Sequence, residues 1–206
     1  MIRGIIFDFG NVICSFDFTL FLRRVAEYAQ KSPGELKAIV EESQDLPQKY
    51  EEGLITSEEF YRGVSARFGV SIPRAEFRRA FTDIFTPIPS TFALVQHLKL
   101  HYRIGLLSNT NEWHYLDGIR PVSIFPLFDA VTLSFEVKAL KPAAAIYRDA
   151  LTKIGLPASA CLYIDDLADN VQAATALGLH AVQYTSYHAL LDDMTRLGIH
   201  VPPSSL

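Results

Sequence analysis

The sequence predicts a doubly wound α/β fold, a parallel sheet with helices on both faces, into which an all-helical segment is inserted after the first strand. Three observations predict it. Short continuous apolar runs bounded by turn signals recur along the chain, as strands buried on both faces require. Amphipathic helical patterns lie between the later runs, giving the strand-helix alternation of a parallel sheet. From about residue 17 to residue 85, helix signals succeed one another with no convincing strand between them.

The first strand, residues 2–7, is a run that should be buried yet ends on a lone carboxylate, Asp8, followed by Phe9, Gly10, Asn11 and Val12. Asp17 then stands where the N-cap of the helix pattern FTLFLRRVAEYAQ belongs. Ser32-Pro33-Gly34-Glu35 reads as a capping box with proline at the first helical position, and Thr56-Ser57-Glu58-Glu59 repeats the box. Pro87 and Pro89 punctuate the return to the main fold. From there strands at 103–107, 130–133, 161–164 and 180–184 alternate with helices at 91–100, 143–154 and 170–177, and Gly155 and Gly178 sit where helix ends favour glycine. The expected division is an α/β core domain of residues 1–16 and 86–206 and a helical cap domain of residues 17–85. The tail VPPSSL reads as frayed.

With 206 residues, 49% of them hydrophobic, the chain can build one generous core or a core plus an insertion. Its 19 basic and 23 acidic residues are interspersed, with no basic stripe to neutralise a phosphate backbone, so nucleic acid is not an expected partner. No apolar run approaches the roughly 20 residues that span a bilayer, and nothing at the N-terminus has a signal-peptide pattern. The expectation is a soluble cytoplasmic protein without a membrane partner, monomer or homodimer. Cys14 and Cys161 have neither metal-site spacing nor the number a disulfide framework needs, and read as reduced, buried thiols.

In an open α/β sheet ligands bind at the carboxyl ends of the strands, so the residues immediately after each strand carry the chemistry. The first strand delivers Asp8; the next, Ser108 and Asn109 with Thr110 and Asn111; the third, Lys138 and Lys141; the fourth, Asp165 and Asp166. A carboxylate can attack phosphorus and divide one hard displacement into two easier ones. Magnesium takes hard oxygen ligands, which Asp8 and the Asp165/Asp166 pair could provide. Ser108 with neighbouring N–H groups could hold phosphoryl oxygens, and a lysine could neutralise their charge. Taken singly each feature has an ordinary alternative: Asp8 a turn or helix cap, Ser108 and Asn109 a loop, Lys141 a solvated side chain, Asp165 and Asp166 partners of a helix N-terminus.

In order and over nearly the whole chain, IIFDFGNV, LLSNTN, the lysine of KALKPAAAIY and CLYIDDLADNVQAA resemble the four motifs of the haloacid dehalogenase-like hydrolase superfamily, in its small-phosphatase branch with a helical cap. The resemblance implies a Mg2+-dependent phosphatase acting on a small phosphorylated metabolite, with a sugar phosphate as its first suggestion. It makes Asp8 the nucleophile. Ser108 and Asn109 contact the phosphoryl group, and Lys141, preferred over Lys138, bridges nucleophile and phosphate. Asp8, the Gly10 carbonyl and Asp166 hold Mg2+, with Asp165 reaching the metal directly or through water.

The chain departs from the pattern at Gly10, where most phosphatases of the superfamily carry a second aspartate as general acid and base, although a subgroup with a DxGNV motif also has glycine there. Asp17, Glu112, His114 or a substrate group are the candidate replacements. Two alternatives remain open: a 2-haloacid dehalogenase in which Asp8 attacks carbon, and a non-catalytic binding protein. In the cap, Phe18, Phe21, Arg24, Tyr50, Tyr61 and Arg62 are the aromatic and basic residues available to substrate, though each also serves the cap's own core and surface.

Overall fold

A computed structural model describes residues 1–42 and 45–201; the predicted fraying of the last residues lies, apart from Val201, outside them. In chain order the elements are β1 (Gly4–Phe7), β2 (Cys14–Phe16), α1 (Phe18–Ala26), α2 (Pro33–Glu42), α3 (Asp45–Glu51), α4 (Ser57–Phe68), α5 (Arg74–Thr82), β3 (Phe85–Pro87), α6 (Pro89–Leu98), β4 (Arg103–Ser108), β5 (Ala130–Leu133), α7 (Ser134–Val137), α8 (Ala144–Ile154), β6 (Cys161–Asp165), α9 (Ala168–Ala176), β7 (His180–Gln183) and α10 (Tyr187–Arg196). A π-helical turn spans His114–Ile119.

Five strands form one parallel sheet in the order β5-β4-β1-β6-β7, so the chain steps outward from β1 to β4 and β5, then crosses to β6 and β7. This is the predicted doubly wound sheet. Its two faces alternate along each strand as the pleat requires. Ile5, Phe7, Ile104, Leu106, Leu162 and Ile164 pack on one side. Ile6, Leu107, Tyr163 and Cys161 pack on the other. The strand order reverses between β1 and β6, which places Asp8 and Asp165 beside each other at the switch point.

Helices α1 to α5 share a separate cluster in which Phe21, Phe60, Phe68, Phe77 and Phe81 pack together with Trp113 from the loop after β4. Both predicted capping boxes form: Ser32 exchanges bonds with Glu35 at the start of α2, and Thr56 with Glu59 at the start of α4. Asp17 is the N-cap of α1, its Oδ1 accepting from Thr19 N–H at 2.9 Å, but that helix stops at Ala26, short of the pattern read to residue 30. The sequence reading found no strand for β2 and β3, which pair antiparallel where the chain leaves and re-enters the sheet layer. Their three-residue lengths carry too little periodicity to signal a strand. Cys14 and Cys161 are free and buried, and among the described residues no helix is long and apolar enough to cross a membrane.

Candidate active site

Strand β1 is covered on both sides by neighbours, so its backbone is fixed and it carries Asp8 to the carboxyl edge with little freedom. Asp8 Oδ1 accepts from Phe9 N–H at 2.7 Å and meets Lys141 Nζ, also at 2.7 Å. The same ammonium lies 2.8 Å from Asp165 Oδ2. All three side chains are buried. Burial pushes the Asp8 carboxyl up to about 6 against the pull of Lys141, with Asp165 adding to the rise. Burial also works against the Lys141 ammonium, but Asp8 and Asp165 together hold its pKa above the ordinary lysine value.

Lys141 is placed by Asn109. The Asn109 amide accepts from Lys141 N–H at 2.8 Å and donates to the Lys141 carbonyl at 3.2 Å, locking the loop before α8 to the end of β4. Asp165 is saturated. Beside Lys141 it accepts from the Tyr163 hydroxyl, from Leu167 N–H at 2.8 Å and from Asn170 Nδ2 at 3.0 Å. Burial opposes its ionisation, yet the Lys141 ammonium above all, with the Tyr163 hydroxyl and Leu167 N–H, holds its carboxyl below the ordinary range. Asp166 differs: it is half-exposed and accepts from Asn11 Nδ2 at 2.9 Å. Asn11 reaches it from the left-handed backbone region, with φ of 54°.

Asp8, Asp165 and Asp166 each offer an oxygen within 4.8 Å of the others. Three converging carboxylates with one lysine leave negative charge in excess, which suits a hard cation such as Mg2+. Asp8 and Asp166 have lone pairs to offer such an ion; those of Asp165 are taken by its donors.

A cavity of about 280 Å³ opens from this edge toward the helical insertion, bordered by Gly10, Ser108 and Asn109 on the sheet side. Much of the remaining lining is aromatic, with Phe16, Phe18, Phe21, Phe60, Phe81 and Phe85. Arg24, Tyr61 and Arg62 serve the insertion itself: Arg24 pairs with Asp83, Tyr61 donates to the Ile72 carbonyl at 2.6 Å, and Arg62 pairs with Glu58. Tyr50 borders the cavity with its hydroxyl engaged by Ser57 and Trp113 N–H.

The three side chains expected as replacements for the missing aspartate are engaged elsewhere. Asp17 caps α1. Glu112 accepts from the Ser57 hydroxyl of α4. His114 lies stacked on Phe81 with ring centroids 4.1 Å apart, its Nε2 3.0 Å from the Phe81 carbonyl and its Nδ1 3.0 Å from Asn111 Nδ2. Those partners assign Nε2 as donor and Nδ1 as acceptor in a neutral ring, and burial drives its pKa down to about 4.

The sequence reading passed over Asn11, Tyr163, Asn170 and Glu51. Asn170 falls inside the stretch CLYIDDLADNVQAA, in the first turn of the helix that follows the acidic pair, a position that could have drawn attention to it. Glu51 had no signal, being a glutamate at the end of a short polar helix and followed at once by another, Glu52.

A sequence model of the haloacid dehalogenase-like hydrolase family matches residues 2–178. Among curated proteins the chain is 23% identical over 192 residues to a D-ribitol-5-phosphate phosphatase of Bacteroides thetaiotaomicron, covering 89% of this chain and 92% of that one. Its fold is similar to a HAD family enzyme of the same organism solved with magnesium and inorganic phosphate, with a TM-score of 0.81, 22% identity, and 92% and 99% of the two chains covered. It is also similar to a 2-haloacid dehalogenase of Pseudomonas syringae pv. Tomato DC3000, at a TM-score of 0.67 and 16% identity over 96% of this chain and 100% of the other.

Proposed function

Because the chain belongs to the haloacid dehalogenase-like hydrolase family, we propose that it is a Mg2+-dependent phosphatase that cleaves a small phosphomonoester through an aspartyl-phosphate on Asp8. The observation that carries this reading is the buried bridge of Lys141 between Asp8 and Asp165 at the switch point of the sheet. Asp8 attacks phosphorus and forms a mixed anhydride, which water then opens. Lys141 stands beside Asp8 to neutralise the phosphoryl oxygens, and Ser108 borders the space those oxygens need. Asn109 keeps Lys141 in place through its backbone, and Asp165 keeps the ammonium aimed at Asp8.

Asp8, the Gly10 carbonyl and Asp166 are the groups that would hold Mg2+. When bound, the ion supplies positive charge to the phosphoryl oxygens and keeps the neighbouring carboxylates ionised. Residues 17–85 act as a cap that closes over the site and contacts the leaving group.

The dehalogenase alternative shares the fold, but displacing halide from carbon needs no metal, and three converging carboxylates are costly without one. Likeness to a ribitol-phosphate phosphatase supports a sugar or polyol phosphate as substrate. A second substrate class has its own observation: the aromatic wall of the cavity favours an alcohol with an apolar body, because hydroxyl groups against phenyl rings would lose their water without gaining partners. Phosphate release from a panel of sugar, alkyl and aryl phosphates, with and without EDTA, tests the reading. Turnover that EDTA abolishes and Asp8→Asn eliminates is expected. Activity that survives EDTA, or an Asp8→Asn variant close to wild type, would overturn it.

A further inference from the structure

Cleavage of an alcohol's phosphate ester leaves an alkoxide that needs a proton, and the water that opens the aspartyl-phosphate must give one up. Gly10 has no side chain to do either. We infer that Glu51, at the end of α3, is the general acid and base of this site, an inference that rests on the phosphatase reading and supplies the proton-transfer group that reading lacks.

Two ties from the sheet layer set its position. The Ser134 hydroxyl accepts from Thr110 N–H at 2.8 Å and lies 2.7 Å from the Glu51 carbonyl, to which it can donate. Glu51 is thereby linked to a residue two positions past Ser108. Lys138 Nζ donates to the Gly53 carbonyl, holding the chain two residues further on. Glu51 lines the cavity that Gly10, Ser108 and Asn109 border, and among the described residues it is the only carboxylate that does.

Its carboxyl makes no hydrogen bond or ion pair among the described residues although it lines the cavity, whereas Asp17, Glu35 and Glu59 cap helices and Glu41, Asp45, Glu58, Glu76 and Asp83 pair with arginine or lysine. A merely structural glutamate facing an aromatic cavity would be expected to find a partner. Burial raises its pKa to about 7, with Lys141 drawing it back, so both protonation states are populated near neutrality. Of the other ionisable groups nearby, Lys138 is engaged by Gly53, Tyr50 by Ser57, and His114 stays neutral.

The steps balance without a further reactant. As Asp8 forms its bond to phosphorus, the bond from phosphorus to the ester oxygen breaks and that oxygen takes the Glu51 proton, releasing the alcohol. Glu51, now a carboxylate, takes a proton from water as the water oxygen bonds to phosphorus and the bond to Asp8 breaks. Inorganic phosphate leaves and Glu51 is protonated again.

The test uses Glu51→Gln, nearly isosteric, with two esters. An alkyl phosphate needs the acid; p-nitrophenyl phosphate, whose leaving group is weakly basic, does not. For Glu51→Gln, phosphoenzyme formation from the alkyl ester should fall about 10²- to 10⁴-fold and from the aryl ester far less. With the aryl ester the variant should release one equivalent of nitrophenolate in a burst and then stall as phosphoenzyme, because the base for the second step is gone. Glu51→Asp, which retains a proton, should recover at least about tenfold of the lost alkyl rate. Wild-type turnover accompanied by equal losses on both esters, no burst, or no loss at all would overturn the role of Glu51 alone. A wild type that releases phosphate from neither ester would overturn the phosphatase reading and this inference with it.

Discussion

Replacing Lys141 by methionine removes the ammonium while keeping an unbranched side chain of similar length. The backbone at 141 stays placed, because the Asn109 amide holds it through its N–H and carbonyl. The change therefore reports on the charge. In the wild type the ammonium compensates two buried carboxylates at 2.7 and 2.8 Å. Each is a charge-assisted contact, and breaking a buried pair by removing one partner costs about 3–5 kcal/mol. Some of this is relieved by protonation. Burial already lifts the Asp8 pKa from 3.8 to about 6, and Lys141 is the main influence holding it down, so its loss lifts Asp8 further.

A raised carboxyl pKa costs stability as pH rises and is relieved as pH falls, since the folded state then binds the proton the unfolded state has lost. Urea unfolding in EDTA should accordingly show Lys141→Met weaker than wild type by about 3–5 kcal/mol near pH 8, with the deficit shrinking by about 1–2 kcal/mol near pH 5. Phosphatase turnover should vanish at both. A deficit below about 1 kcal/mol at both pH values, or one that grows on acidification, would refute the claim that this ammonium compensates Asp8 and Asp165.

Other substitutions give sharp outcomes. Glu51 has its pKa raised from 4.5 to about 7 by burial, so its ionisation costs the fold nothing below the ordinary value and progressively more up to neutrality. Glu51→Gln should therefore match wild type in urea-unfolding free energy near pH 4 and exceed it by about 2 kcal/mol above pH 7, a figure reduced from the full shift because the side chain is only partly buried. Tyr163→Phe removes the hydroxyl that donates to Asp165. It should cost about 1.5–3 kcal/mol in thermal or urea unfolding and lower kcat more than it raises KM, since Lys141 loses part of its anchor but substrate contacts remain.

Much of the sheet was legible because its strands are buried on both faces. Residues such as Ile5, Ile6, Ile104 and Ile164 must all be apolar there, and runs of that kind stand out between turn residues. The residues at the ends of those strands were legible for the same reason: a rigid strand fixes where its last and next side chains go, so Asp8, Ser108 and Asp165 could be placed at one edge in chain order, whereas Lys141, eight residues past β5, is brought there by Asn109. The two capping boxes were local, each closed by bonds between residues three apart.

What the sequence could not express was partnership between distant residues. Asp165 and Asp166 are adjacent and chemically alike, yet one is enclosed by Tyr163, Asn170 and Lys141 while the other opens beside Asn11. His114 carries its usual titratable ring, and only stacking on Phe81 from α5 makes it neutral and fixed. Glu51 looks like any glutamate of a polar helix until Ser134, 83 residues away along the chain, ties its backbone beside Thr110 and burial changes its proton affinity. The sequence by itself determined the sheet and the order of groups along its edge, because these derive from local periodicity and rigid strands. Only the tertiary structure decided which of those groups are spent on one another and which remain free for chemistry, because desolvation and hydrogen bonding depend on neighbours that the chain brings together only by folding.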